Sequence, residues 1–258
     1  MVEYITSLIP FYRLSPSAGD NLRIWAISEH GVHMASLMNN LTSKAETDVC
    51  PPMTSFDWCE IDVGMIVTAS VDSSCTVWDI ETGQAKMQLI AHDQQVSDTA
   101  FAPQSDIFAS VGSDGSFRIF DPRTIDHSTV VYESDDKMAL SRLAWNKHNT
   151  NYVAVTEAYR SKFIVLDIRN ATDPLGEYQG HTGSITSLSW SPHSAHHLLT
   201  TGTDANCLIW DFSSLPRNLN DADLIYSLPS AVNNGSWCPF QREWVSMVHG
   251  STLHVTAI

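Results

Sequence analysis

Long apolar runs are missing from this chain of 258 residues, and that absence sets its first bound. No window approaches the roughly 18 consecutive apolar residues of a membrane helix. Met1-Val2-Glu3-Tyr4 lacks the basic and apolar regions of a secretory signal, so the protein is expected to stay inside the cell, off the membrane. Cysteine is scarce. Cys50, Cys59, Cys75, Cys207 and Cys238 are odd in number and carry no C-x-x-C spacing, which argues against both a disulfide framework and a zinc site. Cys75 and Cys207, each three residues before a tryptophan, read as small buried side chains. Basic residues are few: 14 Lys and Arg face 29 Asp and Glu, a formal charge of −15 with no basic run. Such a chain repels the phosphate backbone, which argues against direct nucleic-acid binding and for basic protein partners.

The signatures of chemistry are missing too. There is no G-x-S-x-G elbow. Gly112-Ser113-Asp114-Gly115 reads as a strand-to-strand turn without the following helix or Lys of a phosphate loop. His193, His196 and His197 sit in a segment that reads as a turn between two outer strands rather than a metal site. No catalytic residue, metal, cofactor or small-molecule ligand is expected.

What the chain does have is one phrase written six times: a β-prone run closing on an aromatic or apolar residue, often followed by Asp. Its copies are Leu22-Arg23-Ile24-Trp25, Cys75-Thr76-Val77-Trp78-Asp79, Phe117-Arg118-Ile119-Phe120-Asp121, Phe163-Ile164-Val165-Leu166-Asp167, Cys207-Leu208-Ile209-Trp210-Asp211 and the degenerate Leu253-His254-Val255-Thr256. The closing positions are 53, 42, 46, 44 and 46 residues apart. A step of about 40–45 residues is that of a four-stranded propeller blade. With no Pro/Ser-rich linker, the expected fold is all-β: one propeller domain over residues 1–258 with about six recognisable blades.

Within the repeats a polar set recurs. His92 precedes Ser110, Asp114 and Phe120; His181 precedes Thr200, Asp204 and Trp210. Asp72 likewise stands six residues before Trp78. These residues are expected to join strands within a blade, the fifth repeat being completed by the indole N–H and the third shorter because Phe120 cannot donate. A hydrolase also uses His, Ser and Asp, but a triplet repeated at matching positions behaves as scaffolding.

Six phrases say more than the repeat alone: Thr54-Ser55-Phe56-Asp57-Trp58, Gln88-Leu89-Ile90-Ala91-His92-Asp93, Phe108 to Ser116, His127 to Glu133, Trp145-Asn146-Lys147 and Ala205 to Asp211, of which several, such as the His-Ser-Thr run after Asp121, lie outside its pattern. From about residue 19 onward, they resemble the plant Transparent Testa Glabra and anthocyanin-regulating WD-repeat family and its animal cullin-ligase-associated counterpart. The resemblance implies a seven-bladed propeller and a cytoplasmic and nuclear scaffold. Its implied partners are transcription factors of the MYB and basic helix-loop-helix types, or dual-specificity tyrosine-regulated kinases. It also implies an alternative role as a substrate receptor of a cullin-RING ubiquitin ligase. Asp121-Pro122-Arg123 and Asp167-Ile168-Arg169 resemble the boxes whose Arg meets the ligase adaptor. A strand-end Arg paired with a local carboxylate is an equal reading of both.

Departures from the family are informative. Most of the first blade is missing, Ile5 to Pro16 matches its strands poorly, and the turn between Gln84 and Gln88 looks trimmed, while Asp20 sits five rather than six residues before Trp25 in a shortened turn that the subfamily shares. The expectation is a truncated form whose last repeat lacks a closing strand and leaves an exposed edge. In the fourth repeat Arg160 replaces the Asp, which predicts a blade held by packing alone. Tyr159 and Arg160 there form a candidate partner-facing turn, an ordinary solvated turn being the other reading.

Overall fold

Branched and aromatic residues, bounded by Gly, Asn, Asp and Ser turns, put most of the described chain into short antiparallel strands. The computed structural model describes residues 12–16, 22–28, 31–37, 51–124, 128–170, 173–213 and 222–258. Asp20, Cys50 and His127 lie outside the described residues.

Two compact units divide the chain, residues 1–137 and 138–258. The first contains β1 (Tyr12–Pro16), β2 (Leu22–Ser28) and β3 (Gly31–Leu37) in one sheet. Its second sheet is β4 (Met53–Trp58), β5 (Met65–Ser70), β6 (Ser74–Asp79) and β7 (Gln84–Ile90). Its third is β8 (Val96–Phe101), β9 (Phe108–Gly112), β10 (Ser116–Phe120) and β11 (Ser128–Glu133). The second unit contains β12 (Leu140–Trp145), β13 (Tyr152–Glu157), β14 (Lys162–Asp167) and β15 (Gly176–Gln179), then β16 (Ile185–Trp190), β17 (His197–Gly202), β18 (Asn206–Asp211) and β19 (Leu224–Ser227). It ends with β20 (Val232–Trp237), β21 (Trp244–His249) and β22 (Thr252–Ala257). Each sheet pairs its strands in chain order, the meander of a propeller blade.

The repeated phrase falls on the same strand of every sheet, the third of β4–β7 and its equivalents β2, β10, β14, β18 and β22. Most of its residues are buried in the four-stranded sheets because the second and third strands lie inside: β5 is buried throughout and β6 nearly so, while β7 is exposed or half-buried. Aromatic packing follows. Phe163 stacks on Tyr178 at 5.2 Å and meets Trp210 edge-on at 5.1 Å, an arrangement that adds about 0.5–1.5 kcal/mol per pair beyond area burial.

Three sequence expectations change. Tyr12–Pro16 pairs in register with β2, Tyr12 opposite Ala26 and Pro16 opposite Leu22, although the sequence from Ile5 to Pro16 matches the expected strands poorly. Residues Gln84 to Gln88 are strand, not turn; the reversal lies just before them, where Gly83 adopts φ +68 and donates to the Asp79 carbonyl at 2.9 Å. The segment of His193 to His197 joins the first and second strands of its sheet, β16 and β17, rather than two outer ones. At the other end of the chain, β22 pairs with β21 alone among the described residues.

Candidate functional site

In the sheet β16–β19 the polar set assembles as a one-way chain of donors. The Trp210 indole N–H donates to Thr200 Oγ1 at 3.0 Å, and Thr200 Oγ1 stands 2.8 Å from His181 Nε2. His181 Nδ1 meets the Asp204 carboxylate at 3.0 Å, and Asp204 also accepts the Thr182 and Asn206 N–H groups. Burial lowers the His181 pKa, so the ring is neutral with its proton on Nδ1 and its Nε2 accepting from Thr200.

The corresponding set in β8–β11 is not the shorter version expected from Phe120. His92 Nε2 lies 2.7 Å from Ser110 Oγ, and Nδ1 lies 3.0 Å from Asp114 and 2.9 Å from Ser116 Oγ. Arg118 Nη2 donates to Asp114 at 3.0 Å, and, against the larger effect of burial, Ser110 also acts on the Cys75 thiol of the adjoining sheet, lowering its pKa. Serine, arginine and cysteine thus extend the set where the indole is missing. Burial pushes Asp114 up, but the Asp93 N–H and His92 oppose it and hold the carboxyl down at about 2. Burial lowers His92 and pushes both the Cys75 and Cys207 thiols up to about 12, leaving them unreactive. Ser110 and Thr200, the hydroxyls that face these histidines, are themselves fully buried, so no substrate reaches them in the folded sheet.

In β4–β7 the structure does not bring Asp72 and Trp78 together. Asp72 accepts the Ser74 N–H and hydroxyl in its own turn, while Trp78 donates to Thr68 Oγ1 at 2.8 Å. The sheet β12–β15 is not held by packing alone, because a different carboxylate serves it. Buried Glu157 pairs with Arg160 at 3.2 Å and Lys162 at 3.5 Å, and Lys162 reaches Glu177 at 3.1 Å. Beside this cluster Tyr159 is 95% exposed at φ +59.

The two Asp-x-Arg boxes follow the third strands of their sheets. Arg123 forms a bidentate pair with Asp106 and lies 3.5 Å from Asp121; Arg169 returns to its own Asp167 at 2.9 and 2.6 Å. These local pairs match the simpler reading, yet the arginines remain 66% and 63% exposed. Hydrogen bonding from Arg123 and Arg169 lowers the Asp106 and Asp167 pKa values respectively.

A second aromatic series went unread in the sequence. Trp58, Phe101, Trp145, Trp190 and Trp237 end the first strands β4, β8, β12, β16 and β20, all buried. Trp190 Nε1 donates to the Ala144 carbonyl at 3.1 Å and Trp237 Nε1 to Ser189 at 2.9 Å, lacing successive sheets of the second unit. One residue bulges in each of these strands, and Thr54 and Thr186 use the bulge to donate to the Val96 and Val232 carbonyls of the next sheet at 2.7 and 2.6 Å. His193 belongs to the lacing as well: its Nε2 lies 2.9 Å from the Cys238 carbonyl, as His148 Nε2 lies 2.9 Å from that of Pro192. The signal was the same repeat period, carried by residues outside the closing phrase. Among the described residues no group of three His, Cys, Asp or Glu can hold a metal, and no helix is long and apolar enough to cross a membrane.

Sheets of this strand order, with buried His, hydroxyl and carboxylate sets at matching positions, define a WD-repeat β-propeller protein. A model of the WD domain, G-beta repeat, matches residues 83–121 and 172–211. The chain is 42% identical over 247 residues to the DDB1- and CUL4-associated factor 7 homolog of Dictyostelium discoideum, covering 95% of this chain and 75% of that protein. WD repeat-containing proteins of Saccharomyces cerevisiae and Schizosaccharomyces pombe are 32% and 37% identical over 86% and 77% of this chain. The chain spans about half the length of these two relatives. It belongs to the WD-repeat family of the DDB1- and CUL4-associated factor 7 homolog.

Proposed function

We propose that this chain is a non-enzymatic scaffold that docks to the adaptor of a cullin-RING ubiquitin ligase through Arg123 and Arg169. The observation that carries this reading is their shared setting: each arginine follows the third strand of its sheet, is held by a carboxylate and remains about two-thirds exposed. Asp106 takes Nε and one Nη2 donor of Arg123, a pairing that orients the planar fork while leaving donors outside it. The name of the Dictyostelium relative points the same way. Burial of the Ser110 and Thr200 hydroxyls supports the non-enzymatic part.

Assembly of transcription factors or kinases is the second reading, favoured by the acid excess of residues 1–137, where twenty Asp and Glu face seven Lys and Arg. Affinity capture separates the two. Arg123→Ala with Arg169→Ala should weaken capture of the adaptor by at least about tenfold while leaving regulatory partners bound, since truncating an interfacial charge commonly costs 2–5 kcal/mol. Undiminished adaptor capture by the double variant would overturn the ligase reading.

A further inference from the structure

The chain's negative charge is unevenly placed. Residues 138–258 hold nine acids against seven bases, so the excess belongs almost entirely to residues 1–137. At one end of the sheet β4–β7 this charge meets exposed apolar surface. The turn between β4 and β5 carries Ile61 and Val63, each 56% exposed, and it is rigidly built. The Cys59 N–H donates to the Met65 carbonyl at 3.0 Å, the Trp58 indole to the Val63 carbonyl at 2.8 Å, and the Gly64 N–H to Asp62 Oδ1 at 3.0 Å. The turn between β6 and β7 stands beside it, joined by the Ile80 N–H to the Gly64 carbonyl at 2.8 Å. Between the two turns lies a cleft of about 180 Å³, lined by Asp62, Met65, Trp78, Asp79, Glu81 and Lys86 among others.

The cleft is smaller than the roughly 300–1,000 Å³ of pockets that enclose drug-sized ligands, and its size suits one long side chain. Its chemistry selects which. Three acidic residues line the cleft against a single lysine, and because Met65 and Trp78 are buried its accessible surface is mostly polar. Two branched aliphatic residues stand exposed on the adjoining turn. An arginine or lysine flanked by aliphatic residues satisfies both features, and a rigid surface spares the ordering cost of binding.

We propose that this end of β4–β7 is a docking surface for a basic, aliphatic-containing peptide segment of a partner protein, one Arg or Lys entering the cleft between Asp62, Asp79 and Glu81 and its aliphatic neighbours resting on Ile61 and Val63. The inference rests on the scaffold reading and names the chemistry of one partner. The surface adjoins Arg123 of the next sheet: after the hydrogen bond from Arg123 itself, Lys86, which lines the cleft, also lowers the pKa of Asp106, the partner of Arg123, and Cys59 Sγ stands 3.7 Å from the Ser105 carbonyl.

Fluorescence polarisation on the full chain tests this, with a labelled peptide of alternating arginine and leucine as probe. Saturable binding is expected. Asp62→Asn, Asp79→Asn and Glu81→Gln together should weaken it by about tenfold, as several exposed ion pairs are lost. These amides keep the acceptor oxygens that the turns use, and an unshifted melting curve checks the fold. Ile61→Ser with Val63→Ser should weaken binding comparably. Glu133→Gln, Asp135→Asn and Asp136→Asn, at the opposite end of the next sheet, should change it by less than about twofold. Equal loss in both amide variants would mean that the acidic half attracts the probe as a whole, and would overturn the docking surface; so would wild-type protein that does not bind. Adaptor capture is scored separately, so its failure sinks the ligase reading without altering the peptide result, and the reverse holds.

Discussion

Gly112 and Gly202 are required for space rather than for backbone freedom. A methyl on Gly112 would stand 2.6 Å from His92 Nδ1, and one on Gly202 would stand 2.5 Å from Asp204 Oδ1 and 2.6 Å from His181 Nδ1. Each glycine ends the second strand of its sheet, where the imidazole crosses over it. Gly202→Ala is therefore expected to lower stability by about 2–4 kcal/mol, combining overpacking with loss of hydrogen bonds to a buried ring. The shift of the urea midpoint measures it, and a loss below about 1 kcal/mol would show that the ring moves aside freely. The His and Asp partners were legible because they recur at fixed spacing. The extension around His92 was not, since Ser116, Arg118 and Cys75 reach it through strand pairing and packing that the repeat does not encode.

The turn joining β13 and β14 shows how an element departs from its repeat. Where a blade with Asp at this position ties the turn to a histidine, this one uses Glu157, Arg160 and Lys162, and it places Tyr159 in the left-handed region. That conformation costs a non-glycine residue about 1–2 kcal/mol, and asparagine tolerates it better. Because Tyr159 is almost wholly exposed, Tyr159→Asn should stabilise the protein by about 0.5–1 kcal/mol in chemical denaturation. No change, or a loss, would show that the ring makes contacts that favour the turn. Arg160 marked the departure in the sequence, but the substitute did not show: Glu157 ends a strand, and only the reversal of the chain brings Arg160 and Lys162 back to it.

For the whole molecule the histidine sets link stability to pH, one in each unit. His92 and His181 have pKa values below 6.5 in the fold, so they stay neutral there while the unfolded chain takes up protons as pH falls. Unfolding then binds more protons, and stability declines as pH drops through about 6.5. Asp114 and Asp204, lowered from 3.8, act in the same direction at lower pH: their contribution is present above that value and lost below it. The melting temperature should be flat from about pH 8 to 7 and fall on acidification from about pH 6.5 onward. His92→Gln with His181→Gln should lower the whole curve and flatten it between about pH 6.5 and 5. A wild-type curve flat down to about pH 5 would contradict neutral, buried rings.

What the sequence determined by itself was the period, and with it the blade: a phrase recurring every 42 to 53 residues, β-prone and closing on a large side chain, has to sit on one strand of a repeated sheet. Composition added the acidic character, and spacing added the His, hydroxyl and carboxylate partners. Only tertiary structure decided the rest. It joined residues one repeat apart into a lacing of side chains onto neighbouring carbonyls, Trp reaching the preceding sheet and Thr and His the next. It turned Arg123 to Asp106 and Arg169 to Asp167 while leaving both exposed, and it set Ile61 and Val63 beside a carboxylate-lined cleft. The physical reason is that a repeat records what each strand must bury, whereas a surface depends on which turns the packing of strands brings side by side.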